Sequence, residues 1–554
     1  MLGVTTGRPP SWREILTSQR GAWRLPIHVK MVPPINLFHM FLLPTIDDTP
    51  KARFHYALRW VSDPQTYNDL PVEQRGVAET KLHKEDLRRM LEAGQIRPAE
   101  PEEITGYVHL FHVVEWAKQR RRAIKHTAAI NEHYGKETLM PMHLPLREEQ
   151  SAQTLEGRWA ITVDFSAYFD QFPLHDEIAR RMGFRKGNTH YILTRMPMGQ
   201  RHSVAVAQLA TELLLSFEMP PGTTAQAFVD NIRFVGTRQG VMAATAELAR
   251  RCDHCGVTIN ELPKQATSDN IEALLHQQGD WLGAHYDYAR GTQCVAQKTL
   301  AKIKVSWEQR AEWTTRQYAA HVGLLFFATS VLFINVASYF EAMKRLRARA
   351  REVEADEALW DAKVWLCPTE LTDLERWTQV ALENVPTECR SVDEHPGKVI
   401  VTDASDWGWG ALFWDVRSGR TAAVQAQWSA MDKQQFDTSK SVYAEPEAVY
   451  RALCRFVVPS SSESVLVLTD NTAARWALAK GVSPSFFINK VACRVRNTFP
   501  NLRLRLSHVP GQHNPADQIS RGGYAPSTQE IGELVSRAVT GSRSGSDGGE
   551  HQPR

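Results

Sequence analysis

Two stretches carry an acidic side chain that packing alone does not call for. In AFVDNIRFVG, residues 227–236, apolar residues flank Asp230 and Asn231. This pattern predicts two short strands joined by a tight turn, with Asp230 and Asn231 at its tip. Taken alone, the pair reads either as an ordinary turn or as a carboxylate held out for a cation. In WAITVDFSAYFDQF, residues 159–172, a strand carrying Trp159, Ile161 and Val163 ends in Asp164. A carboxylate after a buried strand, joined by another on a hairpin tip, suits hard divalent cations. Mg²⁺ takes one or two carboxylates plus substrate phosphates, and two such ions about 3.5–4 Å apart clamp the attacking and leaving oxygens of a phosphoryl transfer. A second set lies in the last third of the chain. Asp403 ends the apolar run 399–403, Glu445 opens a helical stretch, and Asp470 follows the apolar run 465–468. Asp517 lies in SHVPGQHNPADQISR, residues 507–521, with His508 and His513. Four carboxylates at strand ends and helix starts again suit two metals, here with water attacking a phosphodiester.

The elements that must hold these residues are read from periodicity. The chain has 554 residues, too many for one hydrophobic core, so two to four domains are expected. Net charge is only +3, so nucleic-acid binding has to come from local basic patches such as the run Lys344, Arg345, Arg347, Arg349 and Arg351 on one helix, which reads either as a solvated helix face or as a contact to a duplex backbone. The seven cysteines are odd in number and scattered, which speaks for a reduced intracellular chain. Cys252 and Cys255 have zinc-like spacing without a second ligand pair and read as a helix end. Residues 321–340 lack Lys, Arg, Asp and Glu, and with His321, Thr329, Ser330, Asn335 and Ser338 they read as a buried helix pair, not a membrane span. Residues 81–93 have helical period, 108–116 and 122–130 read as strands around a basic turn, and 241–252 reads as an amphipathic helix. From 398 onward, strands are expected at 399–403, 411–414, 422–428, 465–468 and 502–506, with a helix from 445 to about 457.

Asp164 with Phe169 and Asp170, MPMGQRHSV at 196–204, and FVDN at 228–231 resemble, in order and spacing, motifs A, B and C of reverse transcriptases. Residues 256–264 and 280–283 look like motifs D and E, and Gly94–Pro98 resembles the opening of the fingers. The block from 397 resembles a ribonuclease H domain. The ending GQHNPADQISR looks most like retrotransposons of the gypsy type or of the tyrosine-recombinase (DIRS-like, VIPER-type) group. The resemblance implies an α+β polymerase right hand of fingers, palm and thumb, followed by an α/β ribonuclease H-like domain with a mixed five-stranded sheet. The implied domains are an N-terminal extension (1–77), fingers and palm (78–290), thumb (291–355), connection (356–396), ribonuclease H (397–524) and a disordered tail (525–554).

It also implies an RNA-directed DNA polymerase with ribonuclease H activity. Asp164 and Asp230 are its polymerase metal ligands, and Asp403, Glu445, Asp470 and Asp517 its nuclease ligands, with two Mg²⁺ per site. Asn231 replaces the family's second aspartate, so weaker metal binding and better tolerance of Mn²⁺ are expected. Arg122 is the expected triphosphate clamp and Phe169 a gate against ribonucleotides, or else a core residue. Met198 and Gly199 approach the nucleotide and template. Lys264 is a proton donor to pyrophosphate or a surface lysine. His126 and Ala128 depart from the fingers pattern, with Lys118 or Lys125 as substitutes. His508, before His513, is the histidine that aids product release, and Glu447 is the fallback for Glu445. Implied partners are an RNA template, DNA primer, RNA–DNA hybrid and deoxynucleoside triphosphates. No membrane is implied, and the site of action would be a cytoplasmic ribonucleoprotein particle or the nucleus. The rival readings are a polymerase-inactive RNA-binding scaffold that keeps only the nuclease, and a polymerase that makes RNA.

Overall fold

The structure, a computed structural model, describes residues 25–67, 78–132, 142–391 and 396–544. The chain divides into two compact units, Met1–Trp281 with Tyr286–Gly291, and Leu282–His285 with Thr292–Arg554.

The first unit begins with helices α1 (Leu37–Leu42) and α2 (Thr49–Ser62). Phe54, Ala57, Leu58 and Val61 of α2 follow the i, i+3, i+4, i+7 spacing and are buried. They join one core cluster with the strands that carry Asp164 and Asp230. Residues 25–67, within the expected N-terminal extension, therefore carry two helices and pack into the core of this unit. Residues 1–24 and 68–77 of that extension lie outside the described residues. Helix α3 (Lys84–Glu92) follows, then β1 (Ile96–Ala99), the hairpin β2 (His109–Glu115) and β3 (Arg120–His126), β4 (Trp159–Asp164), β5 (Gly183–Lys186) and β6 (Thr189–Leu193). The second hairpin strand ends at His126, and a short helix occupies Ala128–Glu132 where strand was expected. Helix α4 (Ser203–Leu214) leads to β7 (Thr223–Phe228), β8 (Asn231–Gly236) and α5 (Arg238–Cys255). The strands form an antiparallel sheet in the order β4-β8-β7 and another in the order β1-β6-β5. Ile232 and Phe234 of β8 join the main core cluster. The buried Arg233 donates to Gln153 Oε1 (2.8 Å) and the Gln150 carbonyl (2.6 Å). Cys252 and Cys255 are buried in the last turns of α5 and pack in the core.

After a short strand at Thr292–Val295, the second unit carries helices α6 (Gln297–Glu308), α7 (Thr315–Leu332), α8 (Phe340–Ala355) and α9 (Pro368–Glu383), which pack on one another. No described helix is long and apolar enough to cross a membrane. On α8 the basic run is not one face. Residues two apart lie about 200° apart around a helix, and Arg349 is buried, bonding Thr315 Oγ1 at 2.8 Å.

Five strands follow: β9 (Lys398–Ala404), β10 (Gly408–Asp415), β11 (Thr421–Gln427), β12 (Ser464–Thr469) and β13 (Arg503–His508). They form the mixed sheet β11-β10-β9-β12-β13, antiparallel across β11, β10 and β9 and parallel across β9, β12 and β13. Helix α10 (Ser441–Phe456) packs on it and starts ahead of the expected Glu445, with Pro446 inside the helix. Helices α11 (Thr472–Lys480), α12 (Phe486–Thr498), α13 (Asp517–Ser520) and α14 (Thr528–Ser544) complete the unit. Helix α14 replaces most of the expected disordered tail. Its Ile531, Val535 and Ala538 bury against the sheet, an amphipathic spacing that outweighs the Gly- and Ser-rich composition around it. Residues 545–554 lie outside the described residues.

Candidate acidic centres

The first centre is built at the β7–β8 turn. Phe228 pairs with Asn231, so the two loop residues are Val229 and Asp230, one position earlier than the expected Asp–Asn tip. Val229 sits at φ +58°, a left-handed conformation unfavourable for a β-branched residue. Helix α4 holds it there: Gln208 Oε1 accepts from the Val229 amide at 2.7 Å, and Thr211 Oγ1 donates to its carbonyl at 2.6 Å. Asn231 is also in register with Asp164 on β4, and the Phe165 amide donates to the Asp230 carbonyl at 2.9 Å. The two aspartates are thus brought to the same end of the sheet. Burial raises the Asp230 carboxyl above its usual range, and the Asp164 charge adds to the shift. Asn231 Nδ2 donates to Asp230 Oδ1 at 2.8 Å.

Three neighbours of this pair were not singled out in the sequence. Glu261 Oε2 accepts from the Asp164 amide at 2.9 Å, and its carboxyl is pushed up to about 7 by burial and by the Asp164 carboxylate beside it. Asn260 Nδ2 donates to Asp164 Oδ2 at 2.5 Å. Lys30 Nζ reaches Asn260 Oδ1 (2.6 Å) and Ser166 Oγ (3.1 Å). The signal available for Glu261 was its place in the stretch read as motif D, three residues before Lys264.

The other expected residues fall as follows. Asp170 pairs with Lys125 and accepts from Gln95 at 3.2 Å, so Lys125 is committed to that carboxylate and does not stand free for a phosphate. Arg122 lies on β3, part-exposed, 3.4 Å from Glu115. Asn131 brackets the loop after β6, with Nδ2 on the Gly199 carbonyl and Oδ1 on the Arg201 amide, both at 2.8 Å. Gly199 and Met198 are exposed on that loop, and a Cβ at Gly199 would come within 3.1 Å of the Lys125 carbonyl. Ser203 is the first residue of α4, and its hydroxyl donates to the Pro197 carbonyl at 2.7 Å instead of capping the helix. Phe169 is half-buried against the main core, and Lys264 is exposed.

The second centre is tighter. Carboxylate oxygens of Asp403 on β9, Glu445 on α10 and Asp470 after β12 lie within 4.8 Å of one another. Glu445 Oε1 accepts from the Ala404 amide at 3.0 Å, while Oε2 is buried with no partner in hydrogen-bonding geometry. Burial pushes the Glu445 carboxyl well above its usual range, and the charges of Asp403 and Asp470 push it further. Asp403 is raised to about 6 by burial, with Asp470 and Asp517 adding and the Ser520 hydroxyl opposing. Burial also raises Asp470. Three clustered carboxyls and an orphaned buried oxygen are a donor set that a hard divalent cation would satisfy. Asp517, whose charge acts on both Asp403 and Asp470, is held by Arg521 at 2.9–3.1 Å. His508 ends β13, its Nε2 3.2 Å from the Asp470 carbonyl, whereas the His513 ring meets its neighbour Gln512 at 3.3 Å. Glu447, the fallback for Glu445, is tied up by Arg451 (3.0 Å) and Arg494.

No protein-family model matches the chain, and no curated protein matches it. Among solved structures, the foamy viral protease-reverse transcriptase in complex with dsDNA is similar with a TM-score of 0.48 and 14% identity, over 88% of this chain and 99% of that one. The same viral protein in complex with RNA/DNA hybrid gives 0.45 and 12% over 88% and 65%. With TM-scores below 0.5, these likenesses are too loose to assign a function, which has to rest on the chain's own residues.

Proposed function

We propose that this chain is an RNA-directed DNA polymerase with ribonuclease H activity, copying the RNA of a retroelement into DNA and degrading the RNA of the resulting hybrid. The observation that carries the reading is that each compact unit holds its own acidic centre at strand ends, Asp164 and Asp230 in one, and Asp403, Glu445 and Asp470 in the other. In the first unit, Asp164 and Asp230 would hold the cations, with fingers and palm spanning 78–290. Arg122 would grip the triphosphate bidentately, Phe169 would exclude a ribose 2′-OH, Met198 and Gly199 would line the nucleotide and template, and Lys264 would protonate the leaving pyrophosphate. Residues 291–355 would be the thumb and 356–396 the connection. In the second centre, Asp403, Glu445, Asp470 and Asp517 would hold cations over the hybrid's RNA strand, and His508 would help the product leave. Two Mg²⁺ ions per site would activate the attacking oxygen and stabilise the leaving one. The GQHNPADQISR motif supports a gypsy-type or tyrosine-recombinase retroelement as the source, acting in a ribonucleoprotein particle or the nucleus.

A second reading, a binding platform with nuclease activity only, is favoured by Asn231, which leaves the first centre one carboxylate short of the family pattern. Primer extension on an RNA template with deoxynucleotides, in Mg²⁺ and in Mn²⁺, separates the two. Extension that is lost in Asp164→Ala and Asp230→Ala is the expected result. No extension in either metal, with hybrid RNA still cleaved in an Asp403-dependent way, would leave the platform reading standing instead.

A further inference from the structure

Asp403 is held at both oxygens. Asn514 Nδ2 donates to Oδ1 at 3.1 Å and to the Thr402 carbonyl at 3.0 Å, while the Ser520 hydroxyl donates to Oδ2 at 2.5 Å. Ser520 Oγ also lies 2.9 Å from the Asp517 carbonyl. A hydroxyl has one hydrogen, and the shorter, charge-assisted bond to the carboxylate is the stronger claim on it. Both partners are buried, Asn514 at 5% exposure and Ser520 at 0%. They are themselves anchored: Asn514 Oδ1 accepts from the Ala516 amide at 3.1 Å, the Ser520 carbonyl accepts from Ser405 Oγ at 2.6 Å, and Gln425 Nε2 bonds the Ile519 carbonyl at 2.9 Å. The strand opposite makes room for this. Gly410 pairs in register with Asp403, and a Cβ there would come within 2.9 Å of the Ile519 side chain and the Ser520 backbone nitrogen.

We propose that Asn514 and Ser520 are positioning residues that lock the Asp403 carboxylate in the orientation in which it receives a divalent cation, with Gly410 admitting α13 to the required depth. This rests on the nuclease reading above. Each carboxylate oxygen has two lone-pair directions. One on each is taken by its donor, which fixes rotation of the group and leaves the remaining directions for the cation. Outer partners of metal ligands typically contribute about 10–100-fold in metal affinity or activity.

The test uses the full chain carrying Asp230→Ala, so that the first centre is silenced. Mn²⁺ binding is followed by calorimetry and hybrid cleavage is titrated with Mg²⁺. Ser520→Ala is expected to weaken Mn²⁺ binding about 10–100-fold and to raise the Mg²⁺ needed for half-maximal cleavage, with the maximal rate largely recovered at saturation. The metal-free melting temperature serves as the check on folding, and Ser520→Thr, which keeps the hydroxyl, is expected to restore affinity. A Ser520→Ala chain that binds Mn²⁺ as the Asp230→Ala parent does would overturn the proposal. Failure of the underlying reading looks different: the native chain would cleave no hybrid, and Asp403→Asn would leave Mn²⁺ binding unchanged, which sinks both.

Discussion

Asp403 shows how much of a centre's behaviour lies in the surroundings of one side chain. Its carboxyl is raised to about 6 by burial and neighbouring charges, so near that pH proton and cation compete for it. Metal ligands must be deprotonated to bind. On the proposed reading, the Mg²⁺ concentration for half-maximal hybrid cleavage should rise as pH falls, because Asp403, Glu445 and Asp470 all hold their protons more tightly than free carboxyls and each must release one to bind the cation. A half-saturating concentration independent of pH between 5 and 7 would contradict this. Asp403 and the run 507–521 stand out in the sequence, whereas Asn514 and Ser520 carry no signal of their own. Neither residue type is chemically conspicuous, and the bond from Ser520 spans 117 positions. Glu261 escaped for the same reason, lying 97 positions from the Asp164 amide that it accepts from.

Among the elements, α7 buries a histidine whose protonation the fold disfavours. His321 is held between Ser306 Oγ (3.1 Å) and Thr378 Oγ1 (3.0 Å), and burial lowers its pKa to about 4. An unfolded histidine titrates near 6.5. Above about 6.5 neither state is protonated and the stability is fully present. As pH falls from there towards 4, the unfolded state takes up a proton that the folded state refuses, and stability declines by about 3 kcal/mol at most. Denaturant unfolding at pH 7 and pH 5 should show the loss, and His321→Gln should flatten it. Helix α14 gives the second element-level test. Ile531 is 1% exposed in the cluster under the sheet, so Ile531→Ala should cost about 2–5 kcal/mol, read as a lower unfolding midpoint. A solvated tail would show no change. Helix α2 teaches the converse lesson. The spacing of Phe54, Ala57, Leu58 and Val61 was present in the sequence, but the partners that bury this face include strand residues 100 or more positions on.

For the whole molecule, each acidic centre draws its carboxylates from one compact unit. The two activities proposed for them should therefore separate: Asp403→Asn should abolish hybrid cleavage and leave primer extension intact, and Asp230→Ala should do the reverse, with both assays run on both variants. Joint loss in either variant would argue against two independent centres. What the sequence by itself determined was what depends on near neighbours. The apolar runs that lead into Asp164 and Asp403, the turn around Asp230 and the five strands of the mixed sheet follow from spacing over a few residues, where side-chain direction repeats every two or 3.6 positions. Only the tertiary structure decided which carboxylates converge and what holds them: Glu445 over its helix-mate Glu447, which two arginines neutralise; Lys125 against Asp170; Arg349 turned inward; Asn514 and Ser520 on Asp403. The physical reason is that burial, charge pairing and hydrogen bonding are set by groups far apart in the chain, and local pattern does not specify which distant partner a side chain will meet.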